Sequence, residues 1–218
     1  MRGIVFFDCD GVLTENYSSW LVLHEYFGSP DNSYFARLYR DGIISYLDWM
    51  KIDIASMINA WGKAIKRDDV EKALSRIRIK PEAPIVSKML REMGFLVGVI
   101  SSGVDLLVKR VCREIGSDIC LYNELLFIND ELVPGGRDWV PLGEKPLLIE
   151  KIAGALGIPL ERVVYVGDSV WDTQVFRVVG LPIAIEPCGE ACSEAKYVIK
   201  SLEQLPEIIS KYYGLNLH

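Results

Sequence analysis

RGIVFFDCDGVLT, residues Arg2–Thr14, is a short apolar run that ends abruptly in two acids. Ile4-Val5-Phe6-Phe7 is β-branched and aromatic, and Asp8 and Asp10 follow it one residue apart. A run this short and this apolar predicts a strand buried on both faces, as in a parallel sheet. Gly11 then breaks it. Open parallel α/β sheets bind ligands beyond the carboxyl ends of their strands, which is where both Asp stand. Residues i and i+2 of an extended chain point the same way. Both carboxylates therefore aim at one point, and Cys9 turns away. Two anions that close repel unless a cation or a shared proton intervenes.

Outward from this strand the sequence changes character. From Glu15 to about Lys80 it reads as helices without a convincing strand. Asn16–Phe27 carries Trp20, Leu21, Leu23 and Phe27 on a helical stripe, stopped by Gly28-Ser29-Pro30. Asn32–Arg40 is a shorter helical piece ended by Asp41-Gly42. Ser45 can cap a long helix to Trp61, with Asp48 as the acid at its third position and Gly62 beyond it. Arg67-Asp68-Asp69 opens another helix through Ile77. Short helices joined by brief turns predict a small helical bundle.

After Pro81 strands and helices alternate. The expected order is a helix over Pro84–Met93, a strand over Phe95–Ile100 running into Ser101-Ser102-Gly103, and a helix over Val104–Ile115. A short strand over Ile119–Asn123 and a hairpin over Leu125–Val133 follow, the hairpin turning at Asn129-Asp130. Pro146 sits in the first turn of a helix ending near Leu156. Val163–Val166, Pro182–Ile185 and Tyr197–Ile199 are strands, and Asp172–Val179 and Leu202–Tyr213 are helices. Alternation of this kind implies a parallel sheet covered on both faces. The expected fold class is α/β: residues 1–14 and 81–218 form a sheet domain, and residues 15–80 form an all-helical cap. The insert leaves and rejoins near the carboxyl edge of the sheet, over the two Asp.

Composition narrows the function. The chain has 218 residues, enough for one large domain or a domain plus a smaller one. A net charge of −6, with no Lys/Arg block, argues against nucleic acid as the main partner. No segment reaches the length of a membrane span, and the first strand starts too early for a signal peptide. The expectation is a cytoplasmic protein. The five Cys, at 9, 112, 120, 188 and 192, match no zinc module. Cys188 and Cys192 can close a short disulfide loop, but free thiols are the expected state in a reducing compartment.

Other strand ends supply further groups to the same edge. Ser101 is expected at a helix N-terminus, where free N–H groups favour an anion such as phosphate. Asp168 follows the Val163–Val166 strand, with Asp172 just beyond as an N-cap, a site residue or both. Lys145 offers a cation ahead of Pro146. Hard carboxylate oxygens with no His or Cys beside them suit Mg2+ better than zinc. On a phosphate ester, Asp8 can attack phosphorus, and Asp10 can protonate the leaving alcohol and then activate water. Ser102 reads as a helix cap, Trp139 and Trp171 as loop packing, and His24 and His218 as non-catalytic.

DCDGVLT, Ser101 in VISSG, Lys145, and Asp168 with Asp172 in GDSVWD resemble, in order, the four motifs of the haloacid-dehalogenase-like phosphohydrolases. The resemblance implies a Rossmann-like core with Asp8 as nucleophile and Asp10 as acid/base. It implies a phosphate held by Ser101, Ser102, Gly103 and Lys145. It also implies Mg2+ held by Asp8, the backbone carbonyl of Asp10, and Asp168, with Asp172 in support. The layout most resembles phosphoserine phosphatases, with departures. Their Glu nine residues after the nucleophile is Tyr17 here, and their cap Arg matches Asp53. Glu15 can replace that Glu, and Arg37 or Arg40 that Arg. Trp20, Trp49 and Tyr17 can line the cap for a neutral or sugar-like leaving group, or Trp49 can be cap core.

The leading expectation is a Mg2+-dependent phosphomonoesterase acting on a small phosphorylated metabolite through an aspartyl-phosphate. A phosphoserine phosphatase proper is one alternative. A non-catalytic phosphate-binding or regulatory protein on the same scaffold is another, and it would have been supported by a missing motif residue. A dehalogenase has no alcohol to protonate, so Asp10 counts against it. The sequence leaves the oligomeric state open.

Overall fold

The computed structural model describes residues 2–16, 18–30 and 32–215. Seven strands form one sheet: β1 (Gly3–Phe7), β2 (Phe95–Val104), β3 (Ile119–Ile128), β4 (Glu131–Arg137), β5 (Val163–Gly167), β6 (Leu181–Ile185) and β7 (Tyr197–Ile199). Their order is β4-β3-β2-β1-β5-β6-β7. Every neighbouring pair is parallel except β3 and β4. β1 therefore lies between β2 and β5, and all five of its residues are buried.

The two faces divide β1 with the expected period of two. Val5 and Phe7 pack in one core with Val86 and Leu90 of α5 (Ala83–Glu92) and Val108 of α6 (Asp105–Ile115). Ile4 and Phe6 pack in the other with Ile149 and Ala153 of α7 (Lys145–Ala155) and Phe176 of α8 (Thr173–Phe176). α9 (Ala191–Glu194) and α10 (Leu205–Tyr213) complete the layers.

Four helices lie between β1 and α5: α1 (Ser19–Phe27), α2 (Ser33–Arg40), α3 (Tyr46–Trp61) and α4 (Arg67–Leu74). Ser45 caps α3 as read: its hydroxyl accepts from the Asp48 N–H at 3.1 Å, and Asp48 accepts from the Ser45 N–H at 3.3 Å. Gly62 ends the helix with φ 71°, where a side chain would be strained. α1 starts at Ser19 and not at the expected Asn16, because Ser18 is extended and supplies the capping oxygen to the Leu21 N–H. The strands of chain entering and leaving these helices are stitched together. Thr14 and Ile79 form an antiparallel bridge, the Glu15 N–H donates to Arg78, and the Lys80 N–H donates to Leu13. At the far end Lys66 bridges to Glu131, and the Arg67 N–H donates to Asp130 of the hairpin turn.

Three expectations change. β2 continues through Ser101–Val104, pairing Val104 with Asn123 across a register shift, and α6 starts only at Asp105. Ser101 thus stands on a strand end and not at a helix N-terminus. β3 runs unbroken to Ile128 because β4 pairs with it from Glu124 to the turn. That turn places Asn129 and Asp130 at φ 49° and 66°, the two-residue hairpin that their small polar side chains tolerate. Four thiols are paired rather than free, as Cys112–Cys120 and Cys188–Cys192. α6 packs on β3 so that the first pair has Cα atoms 6.2 Å apart, and the second pair has 5.2 Å, both within disulfide reach. Cys9 is buried and unpaired. No described helix is long and apolar enough to cross a membrane.

Candidate active site

The carboxyl ends of β1 and β5 converge on one buried ion-pair system. The Lys145 ammonium, fully buried at the start of α7, donates to Asp8 Oδ2 at 2.7 Å and to Asp172 Oδ1 at 2.9 Å. It also donates to the Tyr165 hydroxyl at 3.1 Å, which in turn donates to Asp172 Oδ1 at 2.6 Å. Asp172 Oδ2 accepts from the N–H groups of Asp168 and Ser169 at 3.2 and 3.1 Å. Asp172 is therefore both a cap of its turn and the anchor of Lys145. Burial works to raise its pKa, but Lys145, Tyr165 and Ser169 hold it below the ordinary carboxylate value. Burial alone would lower the Lys145 pKa, and the Asp172 and Asp8 charges reverse that, so the ammonium stays charged.

Asp8 is fixed from both sides, since its Oδ1 accepts the Cys9 N–H at 2.7 Å. Burial pushes its pKa up to about 6 against the pull of Lys145. Asp10 turns its Oδ2 to the N–H and hydroxyl of Ser19, at 2.8 and 2.7 Å, while its Oδ1 is buried without a partner. Burial raises the Asp10 pKa despite the two Ser19 bonds. Ser101 is buried beside it, and its hydroxyl accepts the Gly103 N–H at 3.1 Å. The Ser102 carbonyl accepts from Trp20 Nε1, Tyr46 Oη and Asn123 Nδ2, at 3.3, 2.7 and 3.0 Å. The Ser102 hydroxyl is buried and unpartnered.

Oxygens of Asp8, Asp168 and Asp172 lie within 4.8 Å of one another. Asp168 takes no side-chain hydrogen bond among the described residues. Burial, then the charges of Asp8 and Asp172, push its pKa up to about 8. Gly11, at φ 74°, lets the loop after β1 close on it: a Cβ there would stand 2.0 Å from an Asp168 oxygen. Crowded, desolvated carboxylates with hard oxygens are the donor set a divalent cation such as Mg2+ requires. Asp168 and Asp8 fit that role better than Asp172: each Asp8 oxygen accepts a single donor, whereas Asp172 Oδ1 accepts two and Oδ2 three. The Asp10 carboxylate, which faces Ser19, is not in the cluster; only its backbone carbonyl remains a candidate.

Above these residues lies a cavity of about 340 Å3. Asp8, Asp10, Asp168, Ser101, Ser102 and Gly103 line its floor, and Trp20, Tyr46, Trp49, Met50 and Asp53 line its helical side. Trp171 also lines it, so it is a wall of the site and not merely loop packing; Trp139 stays exposed and donates to Glu124. Glu15 is exposed and outside the cavity, because the pairing of its N–H with Arg78 belongs to the stitched crossing below it. Arg37 and Arg40 lie over Tyr34 and Trp171, at 5.9 and 5.7 Å from the ring centres, and line no part of the cavity. Tyr17 and His218 lie outside the described residues. Sequence reasoning missed Ser19, Tyr165 and Asn32. Tyr165 had a signal, a single hydroxyl in an otherwise apolar buried strand; Ser19 and Asn32 had none.

The haloacid dehalogenase-like hydrolase family model matches residues 3–180. The chain is 28% identical over 185 residues to a phosphoserine phosphatase of Methanocaldococcus jannaschii, covering 84% of this chain and 85% of that protein. Among solved structures it is similar to a phospho-aspartyl intermediate analogue of phosphoserine phosphatase, with TM-score 0.79 and 26% identity over 97% of this chain and 98% of the other. A substrate-bound phosphoserine phosphatase complex matches with TM-score 0.79, 25% identity and the same 97% and 98% coverage. With a matched region that runs from β1 through β5 and takes in Asp8, Asp10, Ser101, Lys145, Asp168 and Asp172, the chain belongs to the haloacid dehalogenase-like hydrolases.

Proposed function

We propose that this chain is a Mg2+-dependent phosphomonoesterase that hydrolyses a small phosphorylated metabolite through an aspartyl-phosphate on Asp8. The observation that carries the reading is the placement of Asp8, locked by Lys145 at 2.7 Å beside Asp10 and Asp168 on the floor of the cavity. In this reading residues 1–14 and 81–218 are the catalytic core and residues 15–80 are the cap.

A carboxylate oxygen of Asp8 attacks phosphorus, and the bond from phosphorus to the alcohol oxygen breaks. Asp10, whose raised pKa keeps it protonated further toward neutral pH than an ordinary Asp, gives that oxygen its proton. It then takes a proton from the water that attacks phosphorus, which frees Asp8 and inorganic phosphate. Ser101, the Ser102–Gly103 backbone and Lys145 surround the transferring group. Asp8, Asp168 and the Asp10 carbonyl would hold Mg2+, which supplies neutralisation of the phosphate oxygens when bound.

The direct test is a screen of phosphate esters with and without Mg2+. Chelation by EDTA is expected to silence turnover, and added Mg2+ to restore it, because Asp8 and Asp168 otherwise crowd negative charge. Full activity in chelator would remove the metal from the mechanism.

Asp10→Asn is expected to slow alkyl phosphates roughly 10²–10⁴-fold, the usual worth of general acid catalysis, and aryl phosphates much less. An alkoxide is a poor leaving group and needs the proton, whereas a phenolate does not. Equal losses on both esters would assign Asp10 to holding Ser19 and the fold.

Phosphoserine phosphatase activity is the second reading, supported by the names of the similar proteins. Against it stands Asp53, buried in the cavity wall where a cation for the serine carboxylate is needed. Among the described residues no Lys or Arg lines that wall. Burying a carboxylate unpaired costs several kcal/mol. Phosphoserine is therefore expected to show a kcat/KM at least about tenfold below the best ester of the screen. Side-by-side kinetics check this, and phosphoserine ranking first would restore the second reading.

A further inference from the structure

We propose that the leaving group is hydroxylated: the substrate is the phosphate of a polyol or sugar, read by Asp53 and Trp49. The inference deepens the phosphomonoesterase reading and rests on it. Asp53 and Trp49 stand four residues apart on α3, hence on one face, and both line the cavity. Asp53 Oδ2 accepts from Asn32 Nδ2 at 3.0 Å and lies 3.4 Å from His24 Nε2, and His24 is held in turn by the Ser29 hydroxyl. Among the described residues, Asp53 Oδ1 is buried with no partner. Trp49 Nε1 is also buried with no partner.

The two residues that line the cap side of the cavity thus each hold one buried polar atom with an unmade bond, an acceptor on Asp53 and a donor on Trp49, one helical turn apart. Buried polar groups left unpaired are destabilising, so an occupant that completes both is favoured. A hydroxyl donates and accepts; an ammonium only donates, and a carboxylate only accepts and meets Asp53 like-charged. Neighbouring hydroxyls on one carbon chain complete both bonds. Trp20, Tyr46 and Trp171 give the same cavity flat walls with an apolar body, suited to the C–H face of such a molecule. A carboxylate serving only to pack His24 and Asn32 would need Oδ2 alone.

The test compares kcat/KM of the full chain with Mg2+ on glycerol 3-phosphate, glucose 6-phosphate, propyl phosphate and 2-aminoethyl phosphate. Propyl phosphate keeps the three-carbon chain of glycerol phosphate and lacks its free hydroxyls. At least one hydroxylated ester is expected to exceed propyl phosphate by about tenfold or more. Whether the open chain or the ring leads separates a polyol from a sugar. Trp49→Phe, which removes the N–H and keeps a ring, and Asp53→Leu are each expected to bring that ratio toward one. A wild-type ratio near one, a preference for 2-aminoethyl phosphate, or a ratio unchanged in Trp49→Phe overturns the proposal. If no ester, aryl phosphate included, is turned over, it is the phosphomonoesterase reading that fails. Calorimetric binding of glycerol 3-phosphate against propyl phosphate then decides the leaving-group inference, with equal or absent binding overturning it.

Discussion

Asp8→Asn is expected to lower the turnover of an aryl phosphate to less than about one-thousandth of the wild-type rate, while the protein stays folded. The amide is the same size as the carboxylate and cannot act as the attacking oxygen. Lys145 keeps Asp172 and Tyr165 as partners, so its charge is not stranded. The Asp8 carboxylate is itself costly where it sits, as its pKa of about 6 shows, so a neutral group there does not weaken the fold. Rates and thermal unfolding measured on one preparation check both halves. Wild-type turnover would remove Asp8 as the nucleophile.

Lys145→Met is expected to have the largest effect on stability, a loss of roughly 3–5 kcal/mol at neutral pH. The ammonium is fully buried between Asp8 and Asp172, and methionine fills the space without its charge. Removing one member of a buried ion system leaves the others uncompensated. The pH dependence follows from the signs. In the wild type, the Asp172 pKa lies below its unfolded value, so its contribution is present above that value and fades in acid. The raised Lys145 pKa contributes fully below the unfolded lysine value and is lost only as pH rises through the folded one. Without Lys145 the two carboxylates gain stability by taking up protons, so the deficit shrinks from pH 8 toward pH 5. Urea unfolding at both pH values measures it, and a deficit under about 1 kcal/mol at pH 8 would mean the carboxylates find other partners.

What could be read in the sequence follows how local each interaction is. β1 was legible because burial on both faces forces an unbroken apolar run, and its two Asp break that run abruptly. The Ser45–Asp48 box and the Asn129-Asp130 turn were legible because each is closed within a few residues. The end of β2 was not. Ser-Ser-Gly has the composition of a helix start, and only the pairing of Val104 with Asn123, far along the chain, keeps it extended. The Cys112–Cys120 bridge likewise depends on α6 lying against β3. Within the site, the acids and Lys145 could be placed at the sheet edge from strand ends alone. The contacts that orient them could not: Tyr165 on Asp172 and Ser19 on Asp10 are made by elements that meet only in the folded chain.

The fastenings of the helical unit between β1 and α5 bear on which part of it can move. Thr14–Ile79 holds one end and Lys66–Glu131 the other, while Trp20 and Tyr46 reach across to one carbonyl on the core. A unit fixed at several separated points does not swing open as a lid without breaking all of them. α2 is the exception, a described helix with no buried residue. Segments with few buried contacts open at the least free energy. What holds α2 to the core is Tyr39, whose hydroxyl accepts the Gly143 N–H at 3.2 Å and whose ring packs against Trp171, so that one side chain sets how readily this side of the cavity can open.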